Sequence, residues 1–469
     1  MNLAQALRLS QSTISNQQSA IAFVGAGGKT AAIFQLAREL PHPVIVTATA
    51  HLHIDNIDLA NSHWIGEKLE NLAGLEENLR GVMLVTGPVD GDRTTGLNTT
   101  LLTRLCDLSV SHNLPLLIEA DGSRQRPLKA PADHEPVIPE GVESVVVVAG
   151  LSGLGKPITE EFVHRPELFA LLSGLNMGET ITPDNLVRVL THPGGGLKNI
   201  PPQARRIALL NQADTPELQA LAKMISKQLL SCFHAVVATS LNPPSTFTNR
   251  QSKIPAVYEP VAGIVLAAGG SSRYGQPKVL LDWQGRPFVR AVAETALQSG
   301  LSPVVVVTGA NAEQVQAALR DLPVIIVQNQ DWQTGQSSSI RAGLHSLPPP
   351  FIRDTSPKSK GILEGSEGVG AAVFLLADQP QTPSTIIRAM CEEHACTLAP
   401  IVAPQVQGQR ANPVLFDRLT FPNLMALSGD VGGRAIFSKF PVDYLTWHDE
   451  DLLSDVDTPE EYRKLVDGK

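Results

Sequence analysis

Cysteine is scarce. The 469-residue chain has four, Cys106, Cys232, Cys391 and Cys396, too few and too scattered for a disulfide framework. Cys391-Glu-Glu-His-Ala-Cys396 has no common zinc spacing and reads as helix residues near a core. Basic charge is also short. Lys plus Arg number 37 against 46 Asp plus Glu, leaving −9 with histidine neutral. That balance argues against a broad phosphate-tracking surface and against nucleic-acid binding, though not against a small site for one polyphosphate. No apolar run reaches the roughly 18 residues of a membrane span. The start, MNLAQALRLSQS, lacks a basic segment followed by an apolar one, so no signal peptide is read there. Glycine and proline, at 37 and 35 residues, stay below low-complexity levels. What remains is a 43% hydrophobic chain, long enough for two large domains or about three ordinary ones. The expectation is a reduced, cytoplasmic, globular protein.

Two segments share one grammar of apolar strand, glycine-rich turn and helical pattern: AIAFVGAGGKTAAIFQLAREL and VAGIVLAAGGSSRYGQPKVLLDW. Between them LNPPSTFTNRQSKIPAVYEP is polar and proline-bearing. The predicted organisation is therefore a domain over 1–240, a linker over 241–259 and a domain over 260–469. LPPPFIRDTSPKSKGILEGSEG reads as a surface insertion in the later half. Uninterrupted apolar runs such as HPVIVTATA, LPLLIEAD, SPVVVVTGA and AAVFLLADQ alternate with amphipathic segments. That pattern predicts two three-layer α/β domains with mostly parallel sheets and sites at the carboxyl ends of their strands.

In the later half, Leu266-Ala-Ala-Gly-Gly-Ser-Ser-Arg-Tyr-Gly-Gln-Pro-Lys278 runs from a strand into small residues that let backbone approach a ligand. Amides there can wrap an anion while Arg273 and Lys278 bring charge to a triphosphate. Asp378, in LLADQP, closes a buried strand and suits Mg²⁺, a hard cation that takes oxygen ligands. Its partner candidate is Asp457 in LSDVDTPE, with Asp455 a neighbour. Asp457-Thr-Pro-Glu-Glu also fits a helix start, and the two roles are compatible.

These residues resemble the molybdenum cofactor cytidylyltransferase family, from about Val261 to Leu465. The likeness rests on LAAGGSSRYGQPK, NQDWQTGQSSSIRAGL, LLADQPQ, ANPVLF, LSGDVGGRA and SDVDTPEEY occurring in the family's order. It implies a Rossmann-like nucleotidyltransferase fold. It also implies that Leu266, Ala267, Ala268 and Gly269 with Arg273 and Lys278 take the nucleotide phosphates, Arg273, Lys278 and Asp378 being the catalytic set. Asp378 and Asp457 would hold Mg²⁺, and Ser337, Ser338 and Ser339 would lie near base and ribose. The same serines also read as a helix cap. Asn412 and Pro413, with Ser428, Gly429, Asp430 and Arg434, would face a pterin. Tyr274 stands where the family often has Met or Phe, and ANPVLF replaces the usual GHPVLF or GNPVLF.

In the earlier half, Val24-Gly-Ala-Gly-Gly-Lys-Thr30 ends like a phosphate loop, with a lysine for phosphate and a hydroxyl for Mg²⁺, but on a shorter glycine spacing. Gly27, Gly28, Lys29, Thr30 and Asp121 are the candidate nucleotide set of a P-loop-like domain, with Glu119 beside them; a structural turn is the other reading. Asn211-Gln-Ala-Asp214 is similar to the N-K-x-D base-reading loop, with Gln212 for the lysine. Arg124, Arg126, Lys129 and His134 either collect an anion or form a solvated loop. Over Ile21 to Ala238 this half resembles the accessory proteins of selenium-dependent molybdenum hydroxylases, most specifically in EADGSRQRPLKAPADHEP.

The resemblances imply Mg²⁺-dependent transfer of CMP from CTP to molybdopterin, releasing pyrophosphate, for maturation of a molybdenum hydroxylase client. A phosphate with a second pKa near about 6 is mostly ionised at neutral pH, so no general base is expected. Two other readings stand beside it. One is a guanylyltransferase or other nucleotidyltransferase; the other is a cofactor carrier or insertion chaperone without turnover.

Overall fold

The computed structural model describes residues 1–9, 20–72, 74–241, 252–270, 274, 276–347, 368–454, 456 and 458–467. The chain divides into two compact units, Met1–Tyr258 and Glu259–Lys469.

The first unit is built on nine strands: β1 (Ala20–Gly25), β2 (Val44–Ala48), β3 (Ser62–Ile65), β4 (Val82–Thr86), β5 (Leu116–Glu119), β6 (Ser144–Gly150), β7 (Arg205–Asn211), β8 (Ala235–Ser240) and β9 (Lys253–Tyr258). Their order across the sheet is β9-β8-β7-β6-β1-β5-β2-β4-β3, so the glycine-loop strand β1 is central. All neighbours are parallel except β8 and β9. Helix α1 (Lys29–Glu39) covers one face and buries Ile33, Phe34 and Leu36. On the other, Ala22 and Val24 meet Leu101 and Leu105 of α2 (Thr99–His112) and Ala222 and Ile225 of α3 (Pro216–Leu229). Burial on both faces is why these strands read as unbroken apolar runs.

Part of the stretch read as a linker is not one. Lys253–Tyr258 pairs antiparallel with β8 and forms the sheet edge. Pro255 is tolerated there because an edge strand keeps one row of amides out of the ladder.

The second unit carries β10 (Val261–Ala267), β11 (Val304–Thr308), β12 (Ile325–Gln328), β13 (Ala371–Leu376), β14 (Ile401–Val406), β15 (Gln409–Arg410), β16 (Val414–Asp417) and β17 (Val442–Trp447). The order is β12-β11-β10-β13-β16-β14-β15, with β17 on β14. This sheet is mostly parallel, with β16 set antiparallel to both β13 and β14. Successive β10 residues feed two cores. Val265 and Ala267 pack with Val289 and Val292 of α4 (Phe288–Gln298) and with Ile386 and Met390 of α6 (Ser384–Thr397). Ala262 and Ile264 pack with Ile340 and Leu344 of α5 (Gln336–His345). Both units are thus three-layer α/β. Cys391 and Cys396 sit on α6, the first against the core and the second exposed.

Candidate active site

In the second unit two parallel neighbours set the geometry. β10 and β13 run in register, Leu266 opposite Leu376, and Ala377 N–H donates to Leu266 O at 3.2 Å. The chain therefore leaves both strands at one place, as the loop Ala268–Gly270 and as the turn carrying half-buried Asp378. The next loop is pressed against the first. A Cβ on Gly309 would lie 2.5 Å from Ala268 O, and one on Gly270 would lie 3.1 Å from the Trp332 ring. Lys278 opens a short 3-10 turn after the glycine loop. Val456, between the two later aspartates, is buried with Leu281, Trp283 and Phe288 just beyond that lysine. Gln381, three residues after Asp378, donates to Ser454 O at 2.7 Å and Asp451 O at 3.3 Å. Ser454 is thereby held to the turn after β13, and Val456 to the segment after Lys278. Arg273, Asp455 and Asp457 themselves, and the insertion apart from Leu347 and Gly368, lie outside the described residues.

The serines do not cap the helix they open. Ser337, Ser338 and Ser339 are buried, and no side chain caps α5, whose N-cap is Gly335. Ser337 Oγ donates to Gly429 O at 2.7 Å, and Asn329 Nδ2 donates to Ser338 and Ser339 Oγ at 2.7 and 3.0 Å. Gln336 N–H donates to Asp430 Oδ1 at 3.2 Å. The hydroxyls clamp two loops, Asn329–Gly335 and Gly429–Asp430, onto the start of α5. Gly335 has φ +111° and no room for a Cβ, which would sit 2.4 Å from Asp430 Cα. Arg434 is exposed on the following 3-10 turn. Asn412 and Pro413 precede β16, whose Val414 pairs with Phe374, so they stand at the Asp378 end of β13. Among the described residues, no three His, Cys, Asp or Glu side chains are placed together for a metal.

In the first unit, Gly25, Gly27 and Gly28 have φ of +95°, +85° and +125°. The loop they form delivers the chain into α1 at Lys29. A Cβ on Gly27 would lie 2.4 Å from Gly150 N, which is why glycine is needed there. Lys29 is 2% exposed; its Nζ donates to Gly25 O at 2.6 Å and lies 3.2 Å from Asp121 Oδ1 and 3.9 Å from Glu119 Oε1. Thr30 Oγ1 donates to Glu119 Oε2 at 3.1 Å. Phe23 pairs with Glu119 across β1 and β5, which puts both acids beside the loop. Burial pushes the Glu119 carboxyl up, against the pull of Lys29 and Thr30. The five candidate residues do come together.

Lys129 is already engaged by the protein itself. It is 8% exposed and spends its three protons on Asp121 Oδ2 at 2.8 Å, Gly122 O at 2.7 Å and Glu135 Oε2 at 2.8 Å. Glu135 also takes a two-pronged bond from Arg165, both contacts 2.8 Å. Arg165 carries no local signal in sequence. Arg124 and His134 are exposed, and Arg126 is half-buried.

Acid should loosen this unit. Burial, then Arg165 and Lys129, bring His164 down to about 4, and burial with Arg206 does the same to His234. The unfolded chain takes up these protons near 6.5 and the folded one only near 4, so stability falls as pH drops through that window. Burial raises Glu135, but Arg165 and Lys129 outweigh it and hold it at about 2 against an ordinary 4.5, extending the loss below pH 4.5. Urea midpoints measured down this range should fall, and His164→Gln should flatten the first part.

Residues 263–444 match the MobA-like NTP transferase domain, and residues 21–167 match the YqeC protein family. Nicotine blue oxidoreductase of Paenarthrobacter nicotinovorans is 32% identical over 216 residues, 44% of this chain and 96% of that protein. The uncharacterized protein YqeC of Escherichia coli is 34% identical over 204 residues, 41% of this chain and 75% of that one. The chain belongs to the MobA-like NTP transferases, with a YqeC domain fused to it. A probable molybdenum cofactor guanylyltransferase of Bacillus cytotoxicus is also similar, 42% identical over 65 residues, 14% of this chain and 32% of that protein. As an NTP transferase the second unit is a nucleotidyltransferase. No helix among the described residues is long and apolar enough to cross a membrane.

Proposed function

We propose that the second unit transfers CMP from CTP to the terminal phosphate of molybdopterin, releasing pyrophosphate. The observation that carries it is the emergence of the Ala268–Gly270 loop and Asp378 side by side from registered parallel strands. The loop amides, Arg273 and Lys278 take the triphosphate. An ionised phosphate attacks the α-phosphorus in line, so the protein's work is alignment and charge neutralisation. The donor set fits a hard divalent cation: Asp378 is an oxygen ligand at a strand end, and Asp457 is the proposed second. Mg²⁺ there would supply positive charge to the triphosphate. Ser337, Ser338 and Ser339 lie near base and ribose, Ser337 held on Gly429 and the other two on Asn329. Asn412, Pro413, Gly429, Asp430 and Arg434 form the pterin side. In the first unit, Gly27, Gly28, Lys29, Thr30 and Asp121 hold a nucleotide with Mg²⁺, and the product serves a molybdenum hydroxylase client in the cytoplasm.

The name of the Bacillus relative favours a second reading, guanylyl transfer. Pyrophosphate release with molybdopterin and each NTP in turn separates them. CTP should turn over fastest. Equal or faster GTP turnover overturns the base assignment, and no release with any NTP overturns transfer itself in favour of a carrier.

A further inference from the structure

We infer that the first unit selects guanine, through Asp214, in the nucleotide site proposed around Lys29; the inference rests on that site being real. β1, β6, β7 and β8 are successive parallel neighbours, so the loops after them line one edge of the sheet. On the β5 side of the glycine loop stand the acids Glu119 and Asp121, with Lys29 between them and Lys129 on Asp121. A base attached to a phosphate held at Gly27–Lys29 therefore lies toward β7, two strand spacings or about 10 Å away.

What β7 presents there is a built arrangement. Asn211, 3% exposed, donates from Nδ2 to Gly27 O at 2.8 Å. Its Oδ1 accepts from Thr239 Oγ1 at 3.1 Å and from Leu241 N–H at 3.0 Å. One amide thus locks the glycine loop, the end of β7 and the end of β8 together. A Cβ on Gly28 would lie 2.3 Å from Asn211 Nδ2, so the fit depends on glycine. Gln212, at φ +65°, accepts from Ser152 Oγ at 2.6 Å and fastens the loop after β6 as well. Three residues past Asn211, the exposed Asp214 carboxylate accepts from the Ser240 hydroxyl, which orients it.

A carboxylate only accepts hydrogen bonds when ionised. Guanine offers it two adjacent donors, the ring N1–H and the 2-amino group. Adenine offers an acceptor at N1 and no donor at C2, so the same carboxylate repels it. Sites built to hydrogen-bond a ligand discriminate strongly against one lacking the donors. An exposed carboxylate should give about 10²-fold.

The test is binding of fluorescent GTP and ATP to the full chain, with Lys29→Ala as the reference for signal from this site and circular dichroism melts for each variant. GTP should bind about 10²-fold tighter than ATP in the Lys29-dependent component. Asp214→Asn exchanges an acceptor for an amide donor. It should weaken GTP by a similar factor and favour XTP, whose base has a carbonyl at C2. Equal binding of ATP and GTP by the parent, or unchanged GTP binding by a folded Asp214→Asn chain, overturns guanine selection alone. Absence of any Lys29-dependent nucleotide signal overturns the first-unit site and this inference with it.

Discussion

Asp378→Ala should lower kcat for pyrophosphate release by about 10²–10³ while leaving the melting temperature close to the parent's. The size follows from the chemistry. Two anions must approach each other and no covalent intermediate spreads the barrier, so charge at the α-phosphorus carries most of the catalysis. Asp378 stands half-buried on the turn after β13, outside the two cores that flank the sheet. Its removal should cost the fold little. Asp378→Asn keeps the volume and loses the charge, and it should be nearly as slow. Activity of both variants, titrated with Mg²⁺, is the measurement. Near-normal turnover at ordinary Mg²⁺ would remove Asp378 from the site and leave Lys278 and Arg273 to neutralise the triphosphate alone.

The central strands were legible because burial on both faces leaves no polar alternation to misread. Val304–Thr308 and Val82–Thr86 are buried throughout and stand out as apolar runs. Two edge strands were not. Lys253–Tyr258 has exposed or half-exposed positions and an internal proline, and Val442–Trp447 alternates exposed and half-buried residues. Local signals likewise found the glycine loops, and in the first unit backbone that turns at positive φ demands glycine in place. They could not find side-chain partners contributed from afar. Nothing near Asp214 announces Ser240, 26 residues on, and nothing near Glu135 announces Arg165, 30 residues on. The serines before IRAGL advertised hydroxyls but not their direction, and they turned inward to Asn329 and Gly429. Lys129 is the sharpest case, since a basic loop reads the same whether its lysine faces solvent or a buried carboxylate.

Lys129→Ala should therefore destabilise the first unit by about 3–5 kcal/mol, a loss read as a lower urea midpoint. The lysine bridges Asp121 and Glu135, each 2.8 Å from its Nζ, and it is nearly excluded from water. Deleting it leaves two carboxylates short of a partner. Asp121 retains Lys29 and Gly25 N–H, and Glu135 retains Arg165, so the network weakens without vanishing. Burial lowers the lysine's own pKa, with Asp121 pulling the other way. Arg124→Ala on the same loop is exposed and should change stability by less than about 0.5 kcal/mol. The two variants separate structure from ligand capture. An anion-collecting lysine, removed, would weaken binding and leave unfolding unchanged or slightly improved by relief of like charge. Its loss as a bridge instead lowers stability in the absence of any ligand. A Lys129→Ala chain that unfolds with its parent would assign Glu135 to Arg165 alone and return the lysine to the anion site.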